Sequence, residues 1–408
     1  MKKYLAFISF ACACVSVFGF EIKKPDFTRS VFGSVIGENY SGVIHQFNPN
    51  FNPKQGFCYT QARMAFAPDG RGVFTMTALK LVGMDVYSGL FFATTKDAGK
   101  TWSEFKESKN VKRHATKEGN FKMLLDPTPI YHKQSDKFII FGAEVTYMPD
   151  NKIKGKYSAC FSFFNEKSNE WSVPQNIDLP FESSTAGSAQ PYVEDNGTIL
   201  LPISHKNLKT TGYGRTPETC ILRCKVQNEN IICIQHSNSI SIPVPRGLGE
   251  PSIVKSGDEY FITMRNDYCG YIAKTKNPMV IDLIYPLCFD TTKAEIGKYN
   301  TQTHLVENNG KVFVVYTRRG ANNDHVFRHR APLFMAEVNK KNLMLKKVTE
   351  RALTPNRGAR MGNFGTNKIS HNKWIVVAAE WMQGENGWQG CMQHGSDNSI
   401  FATEIDFK

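Results

Sequence analysis

Six polar residues stand at one phase of a repeating pattern: Arg63, Thr128, Gln190, Glu250, Gln302 and Asn363. Each opens a short apolar run, and none is apolar itself. A guanidinium is a planar fork of donors, a carboxamide donates and accepts, and a carboxylate accepts or, once protonated, donates. Gathered around one point, these types would surround a small polar ligand. A second concentration of ionisable groups runs from Arg318 to Arg330. It holds Arg318, Arg319, Arg328 and Arg330, with Asp324 beside His325.

The elements that must position these residues can be read from the same pattern. The unit is a polar residue, an apolar strand, an Asp/Asn/Gly/Ser turn and a second apolar strand. It spans 63–78, 128–143, 190–205, 250–265, 302–317 and 363–378. The turns include Pro68-Asp69-Gly70, Asp195-Asn196-Gly197 and Asn308-Asn309-Gly310, each flanked by β-branched and aromatic residues. Units recur at roughly 50 to 65 residues, the size of a four-stranded blade with long loops. No long amphipathic helix pattern competes, and a β-sandwich would not account for six units at this interval. The fold class expected is all-β, a six-bladed β-propeller. Its innermost strands line a central channel, so the six polar residues should sit at the channel mouth. Residues 20 to about 55 should supply a strand that closes the ring.

The formal net charge of +13 favours an anionic partner: acidic glycan, nucleic acid or membrane surface. Lys and Arg are scattered rather than run together, which argues against a nucleic-acid arm. Lys2-Lys3 precede an apolar run from Tyr4 to Phe20 with small residues near its end, a signal peptide with Val17-Phe18-Gly19 as the cleavage site. The run is too short for a membrane anchor, and no other segment could span a bilayer. The expected organisation is a signal peptide over 1–19 and a single domain over 20–408, secreted or periplasmic in a bacterium. Removing the signal leaves eight cysteines, of which Cys224 and Cys233 flank the turn Gln227 to Asn230 and could face each other across a hairpin. Zinc on Cys220, Cys224 and Cys233 fits poorly because no His completes the set. Disulfides or buried thiols are expected, with no metal and no cofactor.

The octet Thr95-Lys96-Asp97-Ala98-Gly99-Lys100-Thr101-Trp102 supplies a more specific signal. Asp and Gly two apart suit a tight turn, the threonines can bond back across it, and the Trp can plug the loop from below. The pattern resembles the Asp box of bacterial sialidases (neuraminidases) and related propellers. Asn165 to Trp171 keeps a worn version of it. In sialidases an Arg opens the first blade and an acid/base Asp follows about two dozen residues later, as Arg63 and Asp85 do here. A Glu-Pro pair opens a middle blade and an Arg ends its next strand, as Glu250-Pro251 and Arg265 do here. The resemblance thus implies Asp85 as general acid/base and Glu250 as the second carboxylate. It implies Arg63, Arg265 and Arg330 (then Arg328) as the triad that grips a substrate carboxylate. Gln190, Gln302 and Asn363 would line the pocket and bond hydroxyls.

The nucleophilic Tyr of that family has no counterpart. Its place reads Gly362-Asn363-Phe364, and Tyr59, Tyr268 and Tyr316 lie elsewhere. The expected function is exo-hydrolysis of a terminal acidic sugar, foremost sialic acid, from a glycoconjugate. Two alternatives stay open. One is an exo-acting hydrolase or lyase on a uronate-containing polysaccharide, with His205, His304 or His325 as base. The other is a propeller that binds glycan without chemistry. Oligomeric state is not read from the sequence.

Overall fold

The computed structural model describes residues 22, 25–26, 30–83, 85–206, 217–297 and 300–408. The proposed signal peptide over 1–19 lies outside the described residues. Six antiparallel sheets follow one another along the chain as the blades of a β-propeller. Blade one is Phe57–Phe66, Gly72–Lys80, Tyr87–Thr95 and Lys106–Lys112. Blades two to five open on Phe121–His132, Tyr192–Val193, Gly249–Ser256 and His304–Asn308. Blade six takes Gly365–Ser370, Lys373–Ala379 and Ile400–Phe407 from the end of the chain and Tyr40–Phe47 from its beginning. The pairing runs unbroken from Tyr40↔Phe407 to Phe47↔Ile400, so the ring is closed by a strand from residues 20 to 55.

Strand periodicity explains how each blade holds two neighbours. Successive side chains of a strand point to opposite faces. In blade six, Ile375 and Val377 pack against Phe74 and Met76 of blade one, while Trp374 and Val376 pack against Val306 and Val315 of blade five. The same division recurs around the disc, with one apolar core between each pair of blades. The middle strands are therefore buried on both faces, and Gly72–Lys80 is buried along all but its last residue. The octet forms the expected turn: Asp97 accepts from the Thr101 N–H at 2.8 Å and hydroxyl at 2.6 Å, and Thr95 donates to Asp97 at 2.7 Å. Trp102 packs beneath it against Phe66 and Phe74. Among the described residues the eight cysteines are free thiols, and Cys224 and Cys233 are direct cross-strand partners.

The axis of the disc is filled rather than open. Arg63, only 1% exposed, extends its guanidinium across it. It donates to the carbonyls of Asp126 (2.9 Å) and Pro127 (2.6 Å), to Ser188 Oγ (2.8 Å), and to the carbonyls of Phe364 (3.3 Å) and Asn363 (3.5 Å). One side chain of blade one thus ties blades two, three and six. Gly365 makes room for it: a Cβ there would lie 2.6 Å from Arg63 Cγ. Gln190 bridges to both backbone groups of Leu305, at 2.8 Å each. Gln302 and His304 donate to the Phe364 carbonyl at 3.1 and 3.0 Å. Burial, with the Arg63 charge beside it, pushes the His304 pKa down to about 3, so the ring is neutral.

Removing this plug should loosen the ring. Arg63→Met strips donors from several buried carbonyls and is expected to cost about 3 kcal/mol or more, read as a lowered denaturant midpoint. An unchanged midpoint would show that the blades hold together without it.

Candidate active site

Above the plug, a cavity of about 510 Å³ opens at the mouth of the disc. Its walls come from residues that the blade-opening strands re-aim. The inner strands shift register between Thr60 and Arg63, between Leu125 and Thr128, and between Gly249 and Ser252. Such bulges turn one extra side chain out of the ladder. Gln61, Asp126 and Glu250 lie within these shifts and carry left-handed backbones (φ 55°, 52° and 43°), as do Ser188 (φ 56°) and Asn363 (φ 59°) outside them. Non-glycine residues hold this conformation at a cost, and it concentrates where a side chain must be aimed.

Asp85, Glu250, Arg265, Arg330 and Asn363 all line the cavity. Arg63, Gln190 and Gln302 do not. Their side chains lie one layer deeper, in the plug, with their polar atoms spent on backbone groups. This departs from the expected ring at a single phase. In blade two the residue that meets the mouth, Asp126, stands two positions before Thr128.

Glu250 and Arg265 form the centre of the site. Arg265 Nη1 donates to Glu250 Oε1 at 2.6 Å, and Nη2 to Asp267 at 3.1 Å. Glu250 Oε2 is buried with no hydrogen-bond partner. Arg330 is held by Asn300, through Nε to the side chain at 3.0 Å and through Nη2 to the carbonyl. Gly362 admits it: a Cβ there would meet Arg330 Cδ at 2.8 Å. Burial and the charges of Arg265, Arg360 and Arg328 all push the Arg330 pKa down. Asp85 reaches the cavity from the loop between the second and third strands of blade one. The Tyr147 hydroxyl donates to its carbonyl, and its side chain is exposed.

Sequence reasoning missed several lining residues. Asp126 opens blade two, where Thr128 was expected to. Gln61 Nε2 donates to its Oδ1. Burial pushes its pKa up to about 7, Arg63 opposes the rise, and Asp85 and Glu250 add to it. A signal existed: Asp126-Pro127 repeats the acid-Pro pair Glu250-Pro251. Arg360 lies 4.0 Å above the Trp381 ring, donates to Gln383 at 3.0 Å, and has its pKa pushed down by burial to about 10. Nothing in its sequence neighbourhood marks it. Tyr157 also lines the cavity, its pKa raised by burial and by Asp85 and Asp126 to about 12.

Of the other candidates, His205 lines the cavity, stacked on Phe181 at 4.0 Å, and burial, with a contribution from His236, lowers its pKa to about 4. His304 is in the plug. His325 stacks on His394 away from the lining. Tyr59 packs among Phe57 and Phe91, Tyr316 donates to Glu350, and Tyr268 is exposed. Phe364 packs edge-on to His304 below the cavity. Among the described residues no cluster of His, Cys, Asp and Glu could hold a metal, and no helix is long and apolar enough to cross a membrane.

No protein-family model matches the chain, and no curated protein sequence does. Solved structures do. A protein of unknown function from Dyadobacter fermentans superposes with a TM-score of 0.63 at 11% identity, covering 93% of this chain and 100% of that one. A Hadza microbial sialidase gives 0.59 at 11% identity, covering 88% and 68%. Trypanosoma rangeli sialidase gives 0.56 at 12% identity, covering 86% of this chain and 55% of its own length. At such identities the likeness is one of fold.

The Asp126 environment makes a signed prediction. The folded carboxyl keeps its proton up to about pH 7, while in an unfolded chain it ionises near 4. Stability from this group is complete below the lower value and is lost as pH rises through the higher. Asp126→Asn has no proton to lose. Its stability relative to wild type should therefore rise between about pH 4 and 7 and level off above, measured by denaturant unfolding. A difference that stays flat over that range would mean that Asp126 ionises like an exposed carboxyl.

Proposed function

We propose that the cavity is the active site of an exo-acting glycoside hydrolase that removes a terminal acidic sugar, foremost sialic acid, from glycoconjugates outside the cytoplasm. The observation that carries this reading is the convergence of Arg265, Arg330 and Arg360 with Asp85, Asp126 and Glu250 on one cavity. Guanidinium forks meet a carboxylate with paired hydrogen bonds and fix its plane. In this reading Arg330 and Arg360, with Arg265, hold the sugar carboxylate, and Asn363 bonds a ring hydroxyl. Arg63 supports the floor.

In this reading Asp85, on an exposed loop at the mouth, protonates the leaving oxygen. Glu250 Oε2, buried and without a partner, takes a proton from water. The water oxygen bonds to the anomeric carbon as the glycosidic carbon–oxygen bond breaks. The proton lost by Asp85 is on the released alcohol; the one gained by Glu250 passes to solvent, from which Asp85 regains its own. This is a single displacement and needs no tyrosyl intermediate, consistent with Asn363 and Phe364 where the sialidase resemblance calls for Tyr. Asp126, protonated below about pH 7, donates a hydrogen bond to the bound sugar rather than repelling its carboxylate.

A lyase on a uronate is the second reading, because Tyr157 and neutral His205 share the cavity with the arginines. It would release an unsaturated product with new ultraviolet absorbance.

With a fluorogenic sialic-acid glycoside, Asp85→Asn should lower kcat by about 10²- to 10⁴-fold. Arg265→Ala should lower kcat/KM by at least roughly 100-fold, since it also strands Glu250. Tyr157→Phe should change either by less than about tenfold, because hydrolysis does not use its hydroxyl. Activity surviving in Asp85→Asn, or abolished in Tyr157→Phe, would sink the hydrolytic reading.

A further inference from the structure

The cavity carries more positive charge than one carboxylate requires. Arg265, Arg330 and Arg360 lie deep, at 8%, 3% and 1% exposure. A second group, Lys206, Arg246 and Arg328, stands at the rim. Lys206 is exposed at the end of the strand Ile199–Lys206. Arg246 and Arg328 are both held in left-handed backbone conformations, φ 67° and 59°. Arg328 lies over the Phe327 ring and makes no ion pair among the described residues.

These rim cations act on one another. Burial lowers the Lys206 pKa, and Arg246 lowers it further. Burial lowers that of Arg328, with Arg265 and Arg246 adding to the effect and Asp267 and Asp85 opposing it. The rim carboxylate Asp267 is divided: Arg246 holds it at 3.0 Å and Arg265 at 3.1 Å. A cluster of like charges that outnumbers its counter-ions is relieved by a further anion.

We propose that Lys206, Arg246 and Arg328 form a separate anion subsite, which receives a second negative group on the sugar next to the bond that is cleaved. This rests on the hydrolytic reading above and names its substrate class: a terminal acidic sugar attached to an anionic neighbour. A sulfate ester or a second carboxylate would supply the same chemistry.

The test compares sialyllactose, the same trisaccharide sulfated on its galactose, and disialyllactose, at low salt. Wild type should turn over the sulfated or the disialyl probe with kcat/KM about tenfold or more above the plain one. The triple variant Lys206→Ala/Arg246→Ala/Arg328→Ala should bring that ratio near unity and leave the plain trisaccharide within about twofold. Preference for the sulfated probe alone assigns a sulfate, and for the disialyl probe alone a carboxylate. A wild-type ratio near one, or an equal loss on all three probes, overturns the subsite. If none of the probes is cleaved, the hydrolytic reading fails separately. Calorimetry with a heparin-derived disaccharide then decides the rim: binding lost in the triple variant supports it, and absence of wild-type binding overturns it.

Discussion

One buried guanidinium underlies the geometry of the site. Arg63 spans the axis of the disc and donates to groups on three other blades. A charge so buried is tolerated because its donors all meet acceptors and because Asp126 and Glu250 stand near enough to act on it. The plug does two things at once. It closes the channel, so the cavity has a floor, and it pins the carbonyls just behind Asp126 and Asn363. Those residues are therefore aimed by a group that never touches a ligand in the cavity.

The aim itself is strained. Gln61, Asp126, Ser188, Glu250 and Asn363 repeat a left-handed conformation that side chains other than glycine adopt reluctantly. At Asp126 and Glu250 a bulge lifts the residue from the ladder into the mouth. The strain persists because the blades on either side are fixed by interblade cores and by the Tyr40–Phe47 strand that closes the ring. Fold closure and site geometry are in this sense one construction: an open ring would let the bulges relax into regular pairing.

The propeller was legible because its signals are local. Turn residues such as Asp195-Asn196-Gly197 and strand-forming flanks announce each hairpin without reference to the rest of the chain. The site was legible only in part, because it depends on register. A bulge moves the residue that meets the cavity by two positions, and apolar patterning does not record it. The shift in blade two brings Asp126 rather than Thr128 to the cavity, while Arg63, Gln190 and Gln302 form the plug beneath it. Glu250 is legible because the residue that opens its unit already stands at the bulge. Arg360 was out of reach, since its place depends on Trp381 and Phe327 contributed from other segments.

The cavity is electrostatically two-sided, and this bears on how a ligand would lie in it. Asp85 and Asp126 come from blades one and two, and the hydroxyls of Ser183, Ser184 and Thr185 from blade three. The five lining arginines all come from segments between residues 246 and 360. An acidic sugar entering such a field has one favourable orientation, carboxylate toward the arginines and remaining ring atoms toward the acids. Glu250 sits on the boundary, with Oε1 committed to Arg265 and Oε2 unpartnered. An anion that engaged Arg265 would compete for the donors that now hold Oε1, and so make the neighbouring oxygen a stronger acceptor. Anion binding at Arg265 and the hydrogen bonding of Glu250 would then be coupled through a single guanidinium.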